Sequence, residues 1–234
     1  MKLKELFKQL SYGELSSLSI SGEGSGTIIE SGHPKAIQAV NDALKDLFAR
    51  FILLERQTLI KSLDWKSLYY LRKQFAFTDP TPGLKYILDT PHNKFTDDLV
   101  KILEVTNEIG NKLPLNDAEQ WASVFTPHFD SVQLTHPGYD QVFGVSYQAL
   151  HPNIESEGAG YLDQEIHIPS VFETALRTKV ALSIFGGMSG QEYSNKAQQL
   201  EMAYETRLAE IEQKNPIVDT GMTTNVKLMQ RGFP

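Results

Sequence analysis

Residues 168–214 constrain the fold of this chain more than any other stretch, because they read as two helices joined by a glycine hinge. Pro169 cannot sit inside a helix and pushes Ile168 towards extended geometry. Ser170 then offers an N-cap, with Glu173 at the matching capping-box position. Phe172, Leu176, Val180 and Ile184 recur every four residues, flanked by Ala175 and Phe185, which predicts one broad buried face. Gly186-Gly187-Met188-Ser189-Gly190 ends that helix, the glycines supplying a left-handed cap and a turn. A second helix follows, burying Ala197, Leu200, Tyr204, Leu208 and Ile211. Its solvated side takes Glu192, Lys196, Glu201, Glu205, Arg207 and Glu210. Two such stripes need more apolar surface than they offer each other.

That surface lies at the other end of the chain. Leu3, Leu6, Phe7 and Leu10 form a short amphipathic stripe, marginal as a helix unless it docks. Residues 11–32 are polar and rich in glycine. Pro34 opens a longer helix whose stripe runs through Ile37, Val40, Leu44, Leu47, Phe51 and Leu54. Packing it on the 168–214 hairpin gives one bundle, with everything between inserted as a second lobe. The insert reads as β. Residues 65–71 are aromatic and branched, Val132 and Leu134 alternate with polar neighbours, and residues 142–150 form a clearer strand. Residues 99–105 fit a strand or a short helix equally. Asp79-Pro80-Thr81-Pro82-Gly83, Pro137-Gly138 and His151-Pro152 punctuate these segments. The sequence therefore predicts an α+β protein: a helical bundle built from both chain ends (residues 1–56 and 169–214), an inserted small antiparallel β-rich domain (57–168), and an extended C-terminal arm (215–234).

Charge and composition narrow the function classes. The formal charge is −7, and residues 57–168 hold the excess, with fifteen acids against eight bases. No Lys or Arg occurs between Lys112 and Arg177. A surface of that sign repels phosphates and argues against tight nucleic-acid binding through the middle of the chain. There is no cysteine, so disulfides, thiolate metal sites and cysteine nucleophiles are excluded. Met1-Lys2-Leu3-Lys4-Glu5 leads into an amphipathic segment, not an apolar leader, and no apolar run is long enough to span a bilayer.

Catalytic constellations are sparse. Gly22-Glu23-Gly24-Ser25-Gly26-Thr27 lacks the Gly-Lys-Ser/Thr ending of a phosphate loop and reads as a flexible loop. Gly186 to Gly190 follows the negative end of a helix dipole, so it reads as an interhelical turn. Of the six histidines, His33, His136 and His151 precede prolines and read as turn residues, and His92 as a surface one. His128 with Asp130, and Glu165 with His167, each offer two metal-ligand types on one face of a strand, without an evident third. Asp97-Asp98 and Glu155/Glu157 are the nearest carboxylate pairs, but glycoside hydrolysis needs two carboxyls across a cleft with one pKa raised. Asp97 after Thr96 reads better as an entry cap. No Gly-x-Ser-x-Gly elbow occurs. The sequence predicts no catalytic residue, no metal and no cofactor. In the arm, Met222, Val226, Leu228, Met229 and Phe233 have no periodic face to bury them. With Thr224, Asn225, Gln230 and Arg231, they suit strand addition or groove docking on another chain.

In this order the chain resembles the head-to-tail adaptor (connector) proteins of short-tailed bacteriophages. Four stretches carry the resemblance: Lys4-Glu5-Leu6-Phe7 with residues 10–16; residues 39–44 with 47–51; Ile168-Pro169 through Ala175-Leu176 to Phe185; and residues 223–227 ending in Gln230-Arg231-Gly232-Phe233. Leu113 to Asp117 and Tyr147 to Pro152 add to it. The resemblance implies a structural protein of the virion's head–tail junction, made in the host bacterial cytoplasm. It would form a homo-oligomeric ring, usually dodecameric, below the portal protein. Such a ring lengthens the DNA channel without binding DNA specifically, and its β insert faces the downstream tail or nozzle protein. It also implies that the C-terminal arm docks on the portal, which assigns partner contacts to Met222, Val226, Leu228, Met229, Arg231 and Phe233. No membrane is involved. Some related adaptors are credited with cell-wall hydrolase activity, which the missing carboxylate constellation argues against here. The alternatives are a glycan hydrolase, which needs a buried acid of raised pKa, and a peptide- or ligand-binding module using the insert's loops.

Overall fold

Helix α1, Leu3–Tyr12, turns Leu3, Leu6, Phe7 and Leu10 inward. The computed structural model describes residues 1–16, 18, 28–136, 138 and 140–214. A helix of this length is marginal in water, and tertiary bonds hold its start. Leu3 N–H donates to Gln164 O (3.0 Å) and Ile166 N–H to Met1 O (2.8 Å). Glu5 folds back to accept the Lys2 N–H at 2.9 Å.

Helix α2, His33–Arg50, carries Pro34 in its first turn, where the missing N–H costs nothing. It stops before the expected end of its stripe. Phe51 is extended (φ −119°, ψ 141°), and Leu54 leads into a strand. Helix α3, Ser170–Gly186, departs from the expected caps at both ends. Pro169 is the N-cap residue, its carbonyl accepting the Phe172 N–H at 2.9 Å, and no side chain caps the helix. Gly187 closes the helix with φ −85°, and the positive φ (136°) falls instead on Gly190, ahead of α4. Helix α4, Gln191–Lys214, buries Leu200, Tyr204, Leu208 and Ile211.

The four helices share one buried cluster, which also takes in Ile154 and Ile166 from the chain after the sheets. A polar knot ties three of them. Asp46 of α2 accepts the Tyr204 hydroxyl of α4 at 2.6 Å and lies 3.1 Å from Lys179 Nζ of α3. Burial alone would raise the Asp46 pKa, but the Tyr204 and Lys179 bonds hold it below the usual carboxylate range.

Residues 55–149 build two small antiparallel sheets over a second buried cluster. One has the order β3 (Ile87–Leu88), β1 (Glu55–Lys61), β7 (Val142–Ala149), β4 (Leu99–Thr106); the other runs β2 (Leu68–Tyr70), β6 (Ser131–Leu134), β5 (Val124–Phe125). The chain is thus mixed α+β, with four helices and two small antiparallel sheets among the described residues. Residues 99–106, where periodicity left strand and helix open, form a strand because their edge pairs with β7 from Leu99 to Thr106. Two register shifts interrupt that ladder, the irregularity by which edge strands discourage stray pairing. The expected strand at 65–71 shortens to Leu68–Tyr70, since residues 63–66 form a turn closed by the Tyr69 hydroxyl. That oxygen accepts the Leu63 N–H at 2.8 Å and donates to Lys66 O at 2.6 Å.

Candidate functional site

The chain crosses twice between the helical cluster and the sheets, at residues 51–55 and 149–152, and two buried polar side chains, Gln148 and His151, lie at this seam. Gln148 is 4% exposed. It sits on β7 opposite Glu55, so the register aims it at the end of α2. Its amide nitrogen lies 2.5 Å from Phe48 O, 3.1 Å from Phe51 O and 3.3 Å from Ala49 O. The Phe48 and Ala49 carbonyls are among those a helix C-terminus leaves without intrahelical donors, and Phe51 O, just past the helix, also accepts the Leu53 N–H at 2.9 Å. Gln148 is therefore a C-cap supplied by the sheet. Ala149 N–H donates to Leu54 O (2.9 Å) and Leu150 N–H to Asp98 O (2.7 Å), which completes the seam.

His151 lies beside it, 8% exposed and edge-on to Phe48 at 5.3 Å. Nε2 accepts the His167 N–H at 3.2 Å, so Nδ1 carries the proton and donates to Pro152 O at 2.6 Å. Burial pushes its pKa below the ordinary histidine value. The turn histidine of the sequence reading is a neutral, buried strut.

The carboxylate pairs do not form an acid–base couple. Asp97 (φ 59°) stands in a loop ahead of a strand, so it opens no helix of its own; its carboxylate instead accepts the N–H of Lys73, at the start of the short 3-10 turn Lys73–Phe75, at 2.5 Å. Asp98 turns the other way, accepting Arg56 Nη1 at 2.6 Å and the Tyr147 hydroxyl at 3.1 Å. Glu155 and Glu157 are exposed in the segment after β7. Asp130 is bound by Arg72 at 2.7 Å and does not face His128, whose ring stacks on Tyr70 at 6.4 Å. Glu165 and His167 stand 3.9 Å apart on the surface. No group of three or more His, Cys, Asp or Glu side chains poised for a metal occurs among the described residues. Among the described residues the carboxyls whose pKa moves clearly, Asp46, Asp79 and Asp163, all move down, opposite to what a general acid requires.

Grooves adjoin the helices among the described residues. One, of about 410 Å³, runs between Leu18 and the first turns of α4. Another, of about 250 Å³, lies along α1 and is lined by Lys4, Phe7, Lys8, Tyr12 and His33. Lys4 there is already bonded to Asp163 at 2.7 Å. The expected partner residues Met222, Val226, Leu228, Met229, Arg231 and Phe233 lie outside the described residues. Gln148 and His151 received no functional role from the sequence; the one signal there was the Tyr147 to Pro152 run. No protein-family model matches this chain, and no curated protein matches it.

Proposed function

We propose that this protein is a structural head-to-tail adaptor of a short-tailed phage. In this reading it is a ring-forming subunit of the virion, built as a helical bundle from both chain ends with an inserted β-rich domain and an extended C-terminal arm. The ring, dodecameric by the resemblance, sits below the portal and lengthens the DNA channel, and the β domain faces the downstream tail protein. The arm docks on the portal through Met222, Val226, Leu228, Met229, Arg231 and Phe233.

The observation that carries the reading is the pairing of chain ends. Helices from residues 3–50 and 170–214 contribute to one core, while residues 55–149 close a separate one. That arrangement supports the order of elements on which the resemblance rests. The acidic middle of the chain supports it too, because a channel wall that attracted phosphates would hold DNA instead of passing it.

The test is the mass of the purified chain, alone and mixed with the portal of the same phage. The expected result is a ring-sized complex when portal is present, lost when residues 215–234 are deleted from an otherwise folded chain. A chain that stays monomeric in both samples refutes the adaptor reading. A truncated chain that attaches normally refutes the role of the arm alone.

A further inference from the structure

The end of the β lobe that points away from α2 exposes large apolar side chains where a solvated tip needs none. β1 leaves α2 at Glu55 and reaches this end at Lys61; β7 starts here at Val142, paired with Lys61. The chain has two tryptophans, and strand pairing with the Trp121–His136 contact brings both to this end. Trp121 is 78% exposed and its ring meets His136 edge-on at 5.8 Å. Trp65 is 70% exposed. Leu134 N–H bonds Ser67 O at 2.9 Å, so Trp65 stands two residues before that paired position and His136 two residues after it. Ile109, 84% exposed, crowns the turn after β4, and the adjoining Glu108 accepts the Val142 N–H at 2.8 Å.

The charges around these side chains have one free sign. The cations are engaged: Lys61 lies 2.6 Å from Asp140, Lys112 2.5 Å from Glu104, and Lys66 folds over the Tyr86 ring at 4.5 Å. Asp64 and Glu119 are exposed and make no ion pair among the described residues. Exposed indoles bordered by unpaired carboxylates complement an apolar surface edged with cations. The like charge of Asp64 and Glu119 disfavours a second copy of the same tip.

We propose that this tip, centred on Trp65, Trp121 and Ile109, is a docking surface for a protein segment that is apolar and flanked by arginine or lysine. The assignment stands whether or not the chain is an adaptor.

Both tryptophans report on the tip, so their fluorescence follows its occupancy. The full chain is titrated with a peptide alternating leucine and arginine, with its glutamate counterpart, and with a β-1,4-linked N-acetylglucosamine oligomer. The expected result is a saturable blue shift with the arginine peptide only. Trp65→Ala and Trp121→Ala should each weaken it by about tenfold, the other indole serving as reporter. Asp64→Asn with Glu119→Gln should do the same, whereas Met202→Ala, an exposed change on α4, should leave it unaltered. An equal response to the glutamate peptide, a response to the saccharide alone, or no response to any probe overturns the proposal. So does a blue shift that grows with protein concentration without peptide, which would make the tip a self-contact. Should an alanine variant fail to fold, Ile109→Ser on its open turn gives the same test.

Discussion

Replacing Gln148 by leucine keeps the volume of a buried side chain and removes its donors. The Gln148 amide nitrogen has two hydrogens and lies within 3.3 Å of three carbonyls, so two well-made bonds are lost. Each is worth about 1 kcal/mol net, and leaving the buried Phe48 carbonyl without a donor adds desolvation of about 1–3 kcal/mol. We expect a total loss of about 3 kcal/mol, a fall in melting temperature of about 6–12 °C for a chain of this size. The partition of the loss is more diagnostic than its size. Far-UV circular dichroism follows the helices, and tryptophan emission follows the β lobe, because both indoles reside there. In the native chain the two transitions should coincide; in Gln148→Leu they should separate as the seam loosens. Gln133→Leu, at an exposed position of β6, is the control and should shift neither by more than about 0.5 kcal/mol. If Gln148→Leu melts like that control, with coincident transitions, the sheet does not cap α2 and the account of the seam is wrong.

Three further outcomes follow from the same geometry. The Asp46 pKa is lowered on folding, so its stabilisation is present above the ordinary carboxylate pKa and is lost as pH falls through the lower folded value. Asp46→Asn should cost about 1–2 kcal/mol at neutral pH, the half-exposed carboxylate limiting the effect, and should flatten the acid limb of a stability–pH curve. The His151 pKa is also lowered, so the native fold loses stability as pH falls from about 6.5 towards the folded value. His151→Asn should start less stable and show a shallower slope in that window by denaturant titration. Arg50→Met, which removes the 2.9 Å bonds to Glu205 and Glu212, should cost no more than about 1 kcal/mol, since these groups are largely solvated. A larger loss in urea melts would show that the α2–α4 contact depends on that pair.

Much of the fold was legible because apolar periodicity is a local property. The stripes of α1, α3 and α4 bury Leu3, Leu6, Leu10, Phe172, Leu176, Val180, Leu200, Tyr204 and Leu208, residues whose spacing alone placed them inward. Position 142–149 likewise read as a strand. What failed was local logic applied where the tertiary structure overrules it. Phe51 and Leu54 continue a helical stripe, yet α2 stops at Arg50, and a glutamine from β7, about a hundred residues later, donates to its Phe48 and Ala49 carbonyls. Ser170 and Glu173 have the spacing of a capping box, but the backbone starts the helix at Ser170 itself, leaving the Pro169 carbonyl to take the first bond.

The site residues divide along the same line. Residue identity and spacing alone exclude thiol chemistry, make the middle of the chain acidic, and give the helical ends apolar faces that require cover. It takes the folded chain to bring Gln148 and His151 to the join of two cores, to turn Asp97 and Asp98 to different partners, and to set two tryptophans 56 residues apart in sequence at one end of a lobe. Those facts depend on strand register, which is fixed by long-range pairing and leaves no local signature in the chain.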